Sequence, residues 1–251
     1  MNCFVYLKQI QREGLEQEGR FLEYSDKNAL MEALNLRDKF GGTVTAIAMG
    51  AEQGEKVLKE VYTYGVDRAV FVAYEEEKTV SITKAAMMLA QAIKKLDGYD
   101  IIVCGRQAID GDGAHMAGLV SYYLELPFIS EVKEVRDRKG EAVEVIKETE
   151  EESLVLHVQL PAVLLLNKEK IVPRYPKMQD IIKAYNGTYV VEKLDGNQLS
   201  EEIESFCPIE EVEHIVPKEE RTKTMLWIQG KDEEEKGKNL LNYLRENKLL
   251  E

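Results

Sequence analysis

The chain of 251 residues carries 33 Lys and Arg residues against 46 Asp and Glu residues, which gives a formal net charge of −13 at pH 7. Because a negative field of this size repels phosphate backbones and anionic lipids, we expect binding neither to nucleic acid nor to a membrane surface. The longest strongly apolar stretch, residues 160–167, is too short to span a bilayer, and the amino terminus lacks a signal-peptide pattern. We therefore predict a cytoplasmic protein with no inserted segment.

The first 125 residues alternate short apolar runs with segments of helical periodicity. The apolar runs are Cys3–Leu7, Val44–Ala48, Ala69–Val72 and Ile101–Cys104. Runs of this kind are typical of strands that are covered on both faces. Helices are predicted between them, the first capped by Ser25 or Asp26 and the third starting at Thr79 or Ser81. Since parallel strands need such long crossovers, the pattern predicts an α/β fold with a doubly wound, mostly parallel sheet.

After residue 127 the pattern changes to that of an antiparallel extension. The runs that mark its strands are Phe128–Val135, Ala142–Lys147 and Leu154–Gln159. Residues 160–166 then predict one more buried strand, and residues 172–184 a turn that leads into a short helix.

Beyond Leu194 the apolar pattern weakens, and residues 196–221 are polar and interrupted by two prolines. We expect two parts, an α/β domain over residues 1–194 and a C-terminal arm over residues 195–251. The last segment of the arm, Lys231–Leu250, has leucines on roughly one face and is predicted to be a helix that packs on a partner.

The segment Gly105–Gly118, which follows the strand ending at Cys104, is the best candidate for a ligand site. Ligands of open α/β sheets bind beyond the carboxyl ends of strands, where glycines let backbone N–H groups approach a phosphate. The segment matches neither the dinucleotide fingerprint nor the Walker A motif, so it fits either a nucleotide site or a plain connector. Asp110 and Asp112 fit a turn, acid–base chemistry or a Mg²⁺ site.

The cysteines and histidines do not form a recognisable metal or redox motif. Cys3, Cys104 and Cys207 contain no CxxC pair, and we expect buried thiols. The three histidines have no spacing typical of metal ligands, so we predict no metal site.

Five segments, in order, resemble the β subunit of electron transfer flavoproteins. The most characteristic is GRQAIDGD at residues 105–112. The others are VYLKQ at residues 5–9, VTAIAMG at 44–50, YGVDRA at 64–69, and LPA at 160–162 leading to PRY at 173–175. The resemblance covers about residues 3–190.

The resemblance implies the small subunit of a heterodimer that carries electrons between a dehydrogenase, of the acyl-CoA type, and an acceptor. Its α subunit would carry FAD, and this subunit would hold AMP or a second FAD. The implied nucleotide contacts are Tyr6, Ser25, Asn28, Met49, Gly105, Gln107, Ala108, Ile109, Asp110, Gly111, Asp112, Gly113, Ala114, His115 and Met116. A recognition loop over residues 173–182 would present Arg174, Tyr175 and Met178 to the dehydrogenase.

Two alternatives remain open at this point. The first is an NADH-oxidising, electron-bifurcating subunit with its own FAD, and the second is a free-standing adenine-nucleotide-binding module. The three consecutive carboxylates of residues 75–77 would face the pyrophosphate of NADH, which disfavours NADH oxidation.

Overall fold

The computed structural model describes residues 1–11, 20–22, 24–50, 55–74, 81–108, 111–167, 174–201, 227–247 and 249–250. The chain forms two compact units, Met1–Ile209 and Glu210–Glu251. The described part contains no helix that is both long and apolar enough to cross a membrane.

The elements of the chain are as follows. The strands are β1 (Cys3–Leu7), β2 (Gln9–Gln11), β3 (Arg20–Leu22), β4 (Val44–Gly50), β5 (Arg68–Ala73), β6 (Ile101–Cys104), β7 (Gln107–Ala108), β8 (Gly111–Asp112), β9 (Phe128–Lys139), β10 (Ala142–Glu148), β11 (Ser153–Gln159), β12 (Ala162–Leu166) and β13 (Glu192–Asp195). The helices are α1 (Tyr24–Phe40), α2 (Glu55–Tyr62), α3 (Ile82–Leu96), α4 (Gly113–Leu124), α5 (Met178–Tyr185), α6 (Gly196–Glu201) and α7 (Glu233–Glu246). Among the helices and strands of the described residues, α7 alone belongs to the second unit.

In the described part of the chain, one large sheet has the strand order β11-β10-β9-β12-β6-β1-β4-β5-β13. In this spatial order, every pair of neighbouring strands from β9 through β12, β6, β1, β4 and β5 to β13 is parallel. The strands β9, β10 and β11 pair antiparallel with one another and form an extension of the sheet. The predicted fold class, a mostly parallel α/β sheet with an antiparallel extension, is confirmed. Two small ribbons, β2 with β3 and β7 with β8, lie outside this sheet.

The parallel part of the sheet, from β12 to β5 in the strand order, is covered on both faces because its strands alternate apolar side chains between two cores. On β1, Val5 and Leu7 pack with α1 and α2, while Phe4 packs with α3 and α4 on the other face. The strands β4, β5, β6 and β12 alternate in the same way. A period of two with both faces buried produces the near-continuous apolar runs of the sequence.

The predicted start of α3 agrees with the structure, whereas the predicted start of α1 differs from it. Ser81 caps α3 as predicted, because its hydroxyl oxygen accepts a hydrogen bond from Lys84 N at 3.2 Å. The first helix instead begins at Tyr24, so Ser25 and Asp26 lie in its first turn. A carboxylate in the first turn is stabilised by the helix dipole.

The chain continues its α/β pattern beyond Leu194, where the sequence indicates only a polar tail. Strand β13 pairs with β5, and the Glu192 carboxylate accepts a hydrogen bond from Arg68 Nη2 at 2.5 Å. Helix α6 follows at once and buries Leu199 in the core that contains α3 and α4. The strand had no apolar signature because three of its four residues are charged.

The hydroxyl of Tyr62 connects β5 to the residues that lead into β13, and so holds this edge of the sheet in place. It accepts the N–H of Ala69 at 2.9 Å and donates to the carbonyl of Val190 at 2.8 Å. We expect Tyr62→Phe to lower the free energy of unfolding by about 1–3 kcal/mol, because a buried N–H loses its partner. Denaturant titration measures this loss. The exposed Tyr185 provides the control, and an equal loss in Tyr185→Phe would contradict the prediction.

Candidate functional site

The strand order reverses its direction between β1 and β6. The chain runs from β1 to β4 and β5 on one side, and then crosses to β6 on the other side of β1. Tyr6, near the end of β1, pairs with Cys104, the last residue of β6. The crevice beyond the carboxyl ends of two such strands is the usual ligand position of doubly wound sheets. The residues that follow these two strands are therefore the candidates for a ligand site.

The backbone of α1 lies directly against the residue that follows β6. A Cβ atom built on Gly105 would lie 2.6 Å from the carbonyl carbon and oxygen of Ser25, and 3.0 Å from Asp26 N. Real Cβ atoms do not approach backbone this closely, so only glycine fits at this position. Ser25 and Gly105, which the sequence assigned to one site, are therefore brought into contact.

Asp26 ties the end of β1 to the same place. Its Oδ2 accepts a hydrogen bond from the backbone N–H of Lys8 at 2.6 Å. Burial, together with a smaller effect of the Asp26 carboxylate, raises the pKa of Cys104 to about 12. A thiol with this pKa stays protonated at neutral pH, so Cys104 is a packing residue here and not a nucleophile. Cys3 is also buried, as predicted, whereas Cys207 lies outside the described residues.

Asn28, one turn into α1, has an unsatisfied donor. The residue is 6% exposed. Among the side chains that the structure describes, its Nδ2 is the one buried nitrogen or oxygen without a hydrogen-bond partner. Leaving such a group unpaired costs about 1–3 kcal/mol, so a buried unpaired amide indicates a missing acceptor.

Three further predicted contacts lie on the opposite face of the sheet. Tyr6, Met49 and Met116 are half-buried and pack against the core of α3 and α4. His115, in the first turn of α4, is exposed. The backbone between β6 and α4 forms the β7–β8 ribbon, in which Gln107 pairs with Asp112 and Ala108 with Gly111. Gly113 and Ala114 begin α4, and Ile109 and Asp110 lie outside the described residues.

Arg174, predicted to contact a partner, is held by α1. Its guanidinium donates to Asn35 Oδ1 at 2.6 Å and to Asp38 Oδ2 at 2.7 Å, and its backbone N–H points to Met31 Sδ at 3.3 Å. Burial alone would raise the pKa of Asp38, but hydrogen bonds from Arg174 and Arg37 outweigh it and lower this pKa. The segment that follows Arg174 therefore starts from a fixed point.

An exposed apolar stripe follows this anchor. Tyr175 is 87% exposed, Met178 70%, Ile182 55% and Tyr185 68%. Met178, Ile182 and Tyr185 lie on one side of α5 at spacings of four and three residues, and Tyr175 precedes the helix. The helix buries only Ala184. Sequence reasoning found Tyr175 and Met178 but missed Ile182 and Tyr185, although their helical spacing was the available signal. Four large apolar side chains so close together are rarely left exposed unless a partner covers them.

The second compact unit presents a similar face. Helix α7 is capped by Asp232, whose carboxylate accepts a hydrogen bond from Glu235 N at 2.8 Å. It has no buried residue, and Leu240, Leu241 and Tyr243 are each about two-fifths exposed.

Comparison with known proteins gives a consistent result. The family model described as electron transfer flavoprotein domain matches residues 15–194. An electron transfer flavoprotein subunit beta from Thermoanaerobacterium thermosaccharolyticum is 37% identical over 74% of this chain and 75% of its own length. Its counterpart from Clostridium acetobutylicum is 34% identical over 74% and 76%. The caffeyl-CoA reductase-Etf complex subunit CarD of Acetobacterium woodii is 33% identical over 69% and 65%.

The fold is that of a doubly wound, mostly parallel α/β protein with a crevice between two central strands. The chain belongs to the electron transfer flavoprotein family, and proteins named as β subunits of that family are among its relatives. The resemblance found in the sequence is confirmed, and so is the role as an electron-transfer subunit.

The contact between Gly105 and Ser25 yields a test with a matched control. We expect Gly105→Ala to destabilise the chain by about 1–3 kcal/mol, because the added methyl group would displace the first turn of α1. Gly118, in the middle of α4, has room for a Cβ, with its nearest neighbour at 3.9 Å. Gly118→Ala should be neutral or stabilising, since alanine favours a helix. Thermal unfolding compares the two, and equal stability of both variants would argue against the close contact.

Proposed function

We propose that this chain is the β subunit of a heterodimeric electron transfer flavoprotein and holds an adenine nucleotide at the edge between β1 and β6. The observation that supports this most directly is the unpaired, buried Asn28 Nδ2 in a helix whose start touches Gly105. The chain has no bond-making chemistry of its own in this proposal. It seats the nucleotide and shapes the surroundings of the FAD that the α subunit carries.

The residues at this edge suit the parts of an adenine nucleotide. The starts of α1 and α4 supply backbone N–H groups and positive dipole ends, which favour phosphate. Tyr6, Met49 and Met116 offer an aromatic and two polarisable surfaces to a base. Asn28 supplies a buried donor to an acceptor of the ligand. The bound flavin supplies the electron-transfer chemistry, and this chain's residues position and shield it.

The exposed stripe Tyr175, Met178, Ile182 and Tyr185 supports a docking role toward a dehydrogenase. We propose an acyl-CoA type of partner, because one relative is named as a subunit of a caffeyl-CoA reductase complex. Arg174 anchors the start of the stripe to α1 through its hydrogen bond to Asp38. Met178 provides an unbranched side chain that adapts to a pocket.

The C-terminal arm, residues 195–251, begins with α6, which packs on this chain, and its last helix is proposed to pack on the α subunit. A helix of 14 residues with no buried side chain gains little stability by itself. The exposed leucines of α7 are consistent with a face that a partner covers.

A variant of Asn28 tests the nucleotide site. We expect Asn28→Leu to weaken nucleotide retention about tenfold, the equivalent of one lost hydrogen bond. The same variant should stabilise the nucleotide-free protein by about 1–3 kcal/mol, because an unpaired buried donor is removed. Mass spectrometry of the nucleotide released from the purified heterodimer measures the first effect, and thermal unfolding the second.

Leu30→Met is the control for Asn28→Leu, because it conserves volume in the same buried turn. Unchanged nucleotide content in Asn28→Leu would show that Asn28 does not bind the nucleotide. Release of AMP supports a simple carrier. Release of FAD together with steady-state NADH oxidation would refute the simple-carrier hypothesis and support the electron-bifurcating one.

Replacing Met178 tests the docking stripe. We expect Met178→Ala to lower kcat/KM for electron transfer from the dehydrogenase about five- to thirtyfold, while flavin content stays intact. Val190→Ala is the control, because Val190 is equally exposed but lies outside the stripe. If the two variants behave alike, α5 does not carry the recognition.

A further inference from the structure

The outer edge of β11 carries a row of outward-facing backbone groups. Seven residue pairs join β11 to β10 without a break, from Ser153 with Glu148 to Gln159 with Ala142. At either end of the same register, Thr149 N donates to Glu152 O at 2.9 Å, and Leu160 N donates to Glu141 O at 2.8 Å. In an antiparallel pair only alternate residues exchange such bonds. The even-numbered residues of β11 therefore bond to β10, and the odd-numbered ones point away.

Four residues consequently direct their N–H and C=O groups outward: Ser153, Val155, His157 and Gln159. No strand in the described residues pairs with this edge, since β11 ends the sheet. The edge has no proline, no lysine and no bulge against β10, which are the devices that usually prevent pairing with another chain. Val155 is 52% exposed and Leu154 37% exposed.

The opposite edge of the sheet shows what a protected edge looks like. Strand β13 has only four residues, of which three are charged, and α6 follows it directly. The strand β11 is nearly twice as long and has no acidic or basic residue other than His157. The difference indicates that the β11 edge is kept open for a partner.

The charges around β11 indicate what that partner carries. Glu144 lies opposite His157 and is already paired with Lys139, whose Nζ is 3.5 Å from its Oε2, whereas Glu150, Glu151 and Glu152 are exposed in the adjoining turn. A second copy of this chain would bring a like net charge of −13 to the edge. A strand with Lys or Arg gains attraction at the same place.

We propose that the β11 edge is extended by a basic β-strand of the α subunit, so that the heterodimer shares one continuous sheet. This rests on the proposed function, because it takes the α subunit as the partner. Backbone hydrogen bonds from the four odd-numbered residues hold the added strand, and the acidic turn selects basic side chains.

Hydrogen exchange resolved to single amides of the heterodimer tests the pairing. The amides of Val155, His157 and Gln159 should exchange at least about a hundredfold more slowly than those of Glu150 and Glu151 in the turn, because each bonds to the added strand. Exchange as fast as in the turn would overturn the proposal. So would slow, concentration-dependent exchange in this chain without the α subunit, which would identify a second copy as the occupant.

Two substitutions of Val155 separate the backbone bond from the side chain. Val155→Pro removes one outward N–H and leaves the bonds to β10, a position where edge strands tolerate proline. We expect it to weaken association with the α subunit about tenfold, as one lost hydrogen bond does, whereas Val155→Ala keeps its donor and has a smaller effect. The charge reversals Glu150→Lys and Glu151→Lys, which leave the strand unchanged, should also weaken association and reverse its salt dependence. Full association of all these variants would overturn the proposal.

The proposed function can survive this test. A heterodimer that retains nucleotide and flavin but shows fast exchange along β11 refutes only the shared sheet. A chain that binds neither nucleotide nor an α subunit refutes the function itself.

Discussion

The backbone of Ser25 lies so close to Gly105 that no side chain fits between them. This contact fixes the start of α1 at the carboxyl edge of β1 and β6, where the direction of the strand order reverses. Asp26 strengthens the arrangement by accepting the N–H of Lys8. The two central strands, the first helix and the glycine loop thus meet in one small region, and the proposed ligand edge lies there.

Helix α1 also serves the other functional surface. Its first turn lies at the ligand edge, whereas Asn35 and Asp38 hold Arg174 further along the helix. Arg37 extends the same network to Asp67, whose carboxylate also accepts the N–H of Val44 at the start of β4. The exposed stripe that follows Arg174 is therefore held by the same framework as the proposed ligand edge, so the proposed docking of a partner would require little further ordering of this chain.

Much of this fold was predictable because the sequence carries its physical causes. Fully buried parallel strands need continuous apolar runs, and β1, β4, β5 and β6 have them. Helix α3 has both a strong apolar periodicity and the cap at Ser81. The loop after β6 drew attention through its glycines, and Gly105 proves to be the one that a close backbone contact requires.

What the sequence could not reveal depends on long-range contacts. Strand β13 is mostly charged, and only its pairing with β5 makes it a strand. The long β9 breaks its register against β10 twice and contains Glu131 at a φ of 56°, so no regular alternation marks its length. The contact of Arg174 with Asp38 joins residues 136 positions apart, which no local pattern reports. The missing hydrogen-bond partner of Asn28 Nδ2 likewise depends on which groups surround it in three dimensions, and the sequence does not give these.

The pairing of β1 with β6 has a consequence for the order in which the protein is made. Cys3 pairs with Ile101, so β1 has an open side until about a hundred further residues have been synthesised. At about 5–20 residues per second, a ribosome needs roughly 5–20 seconds to cover that distance. The nascent chain must keep an apolar strand accessible throughout that interval. A strand that ends in the interior of the sheet thus stays open on one side until its second partner has been synthesised.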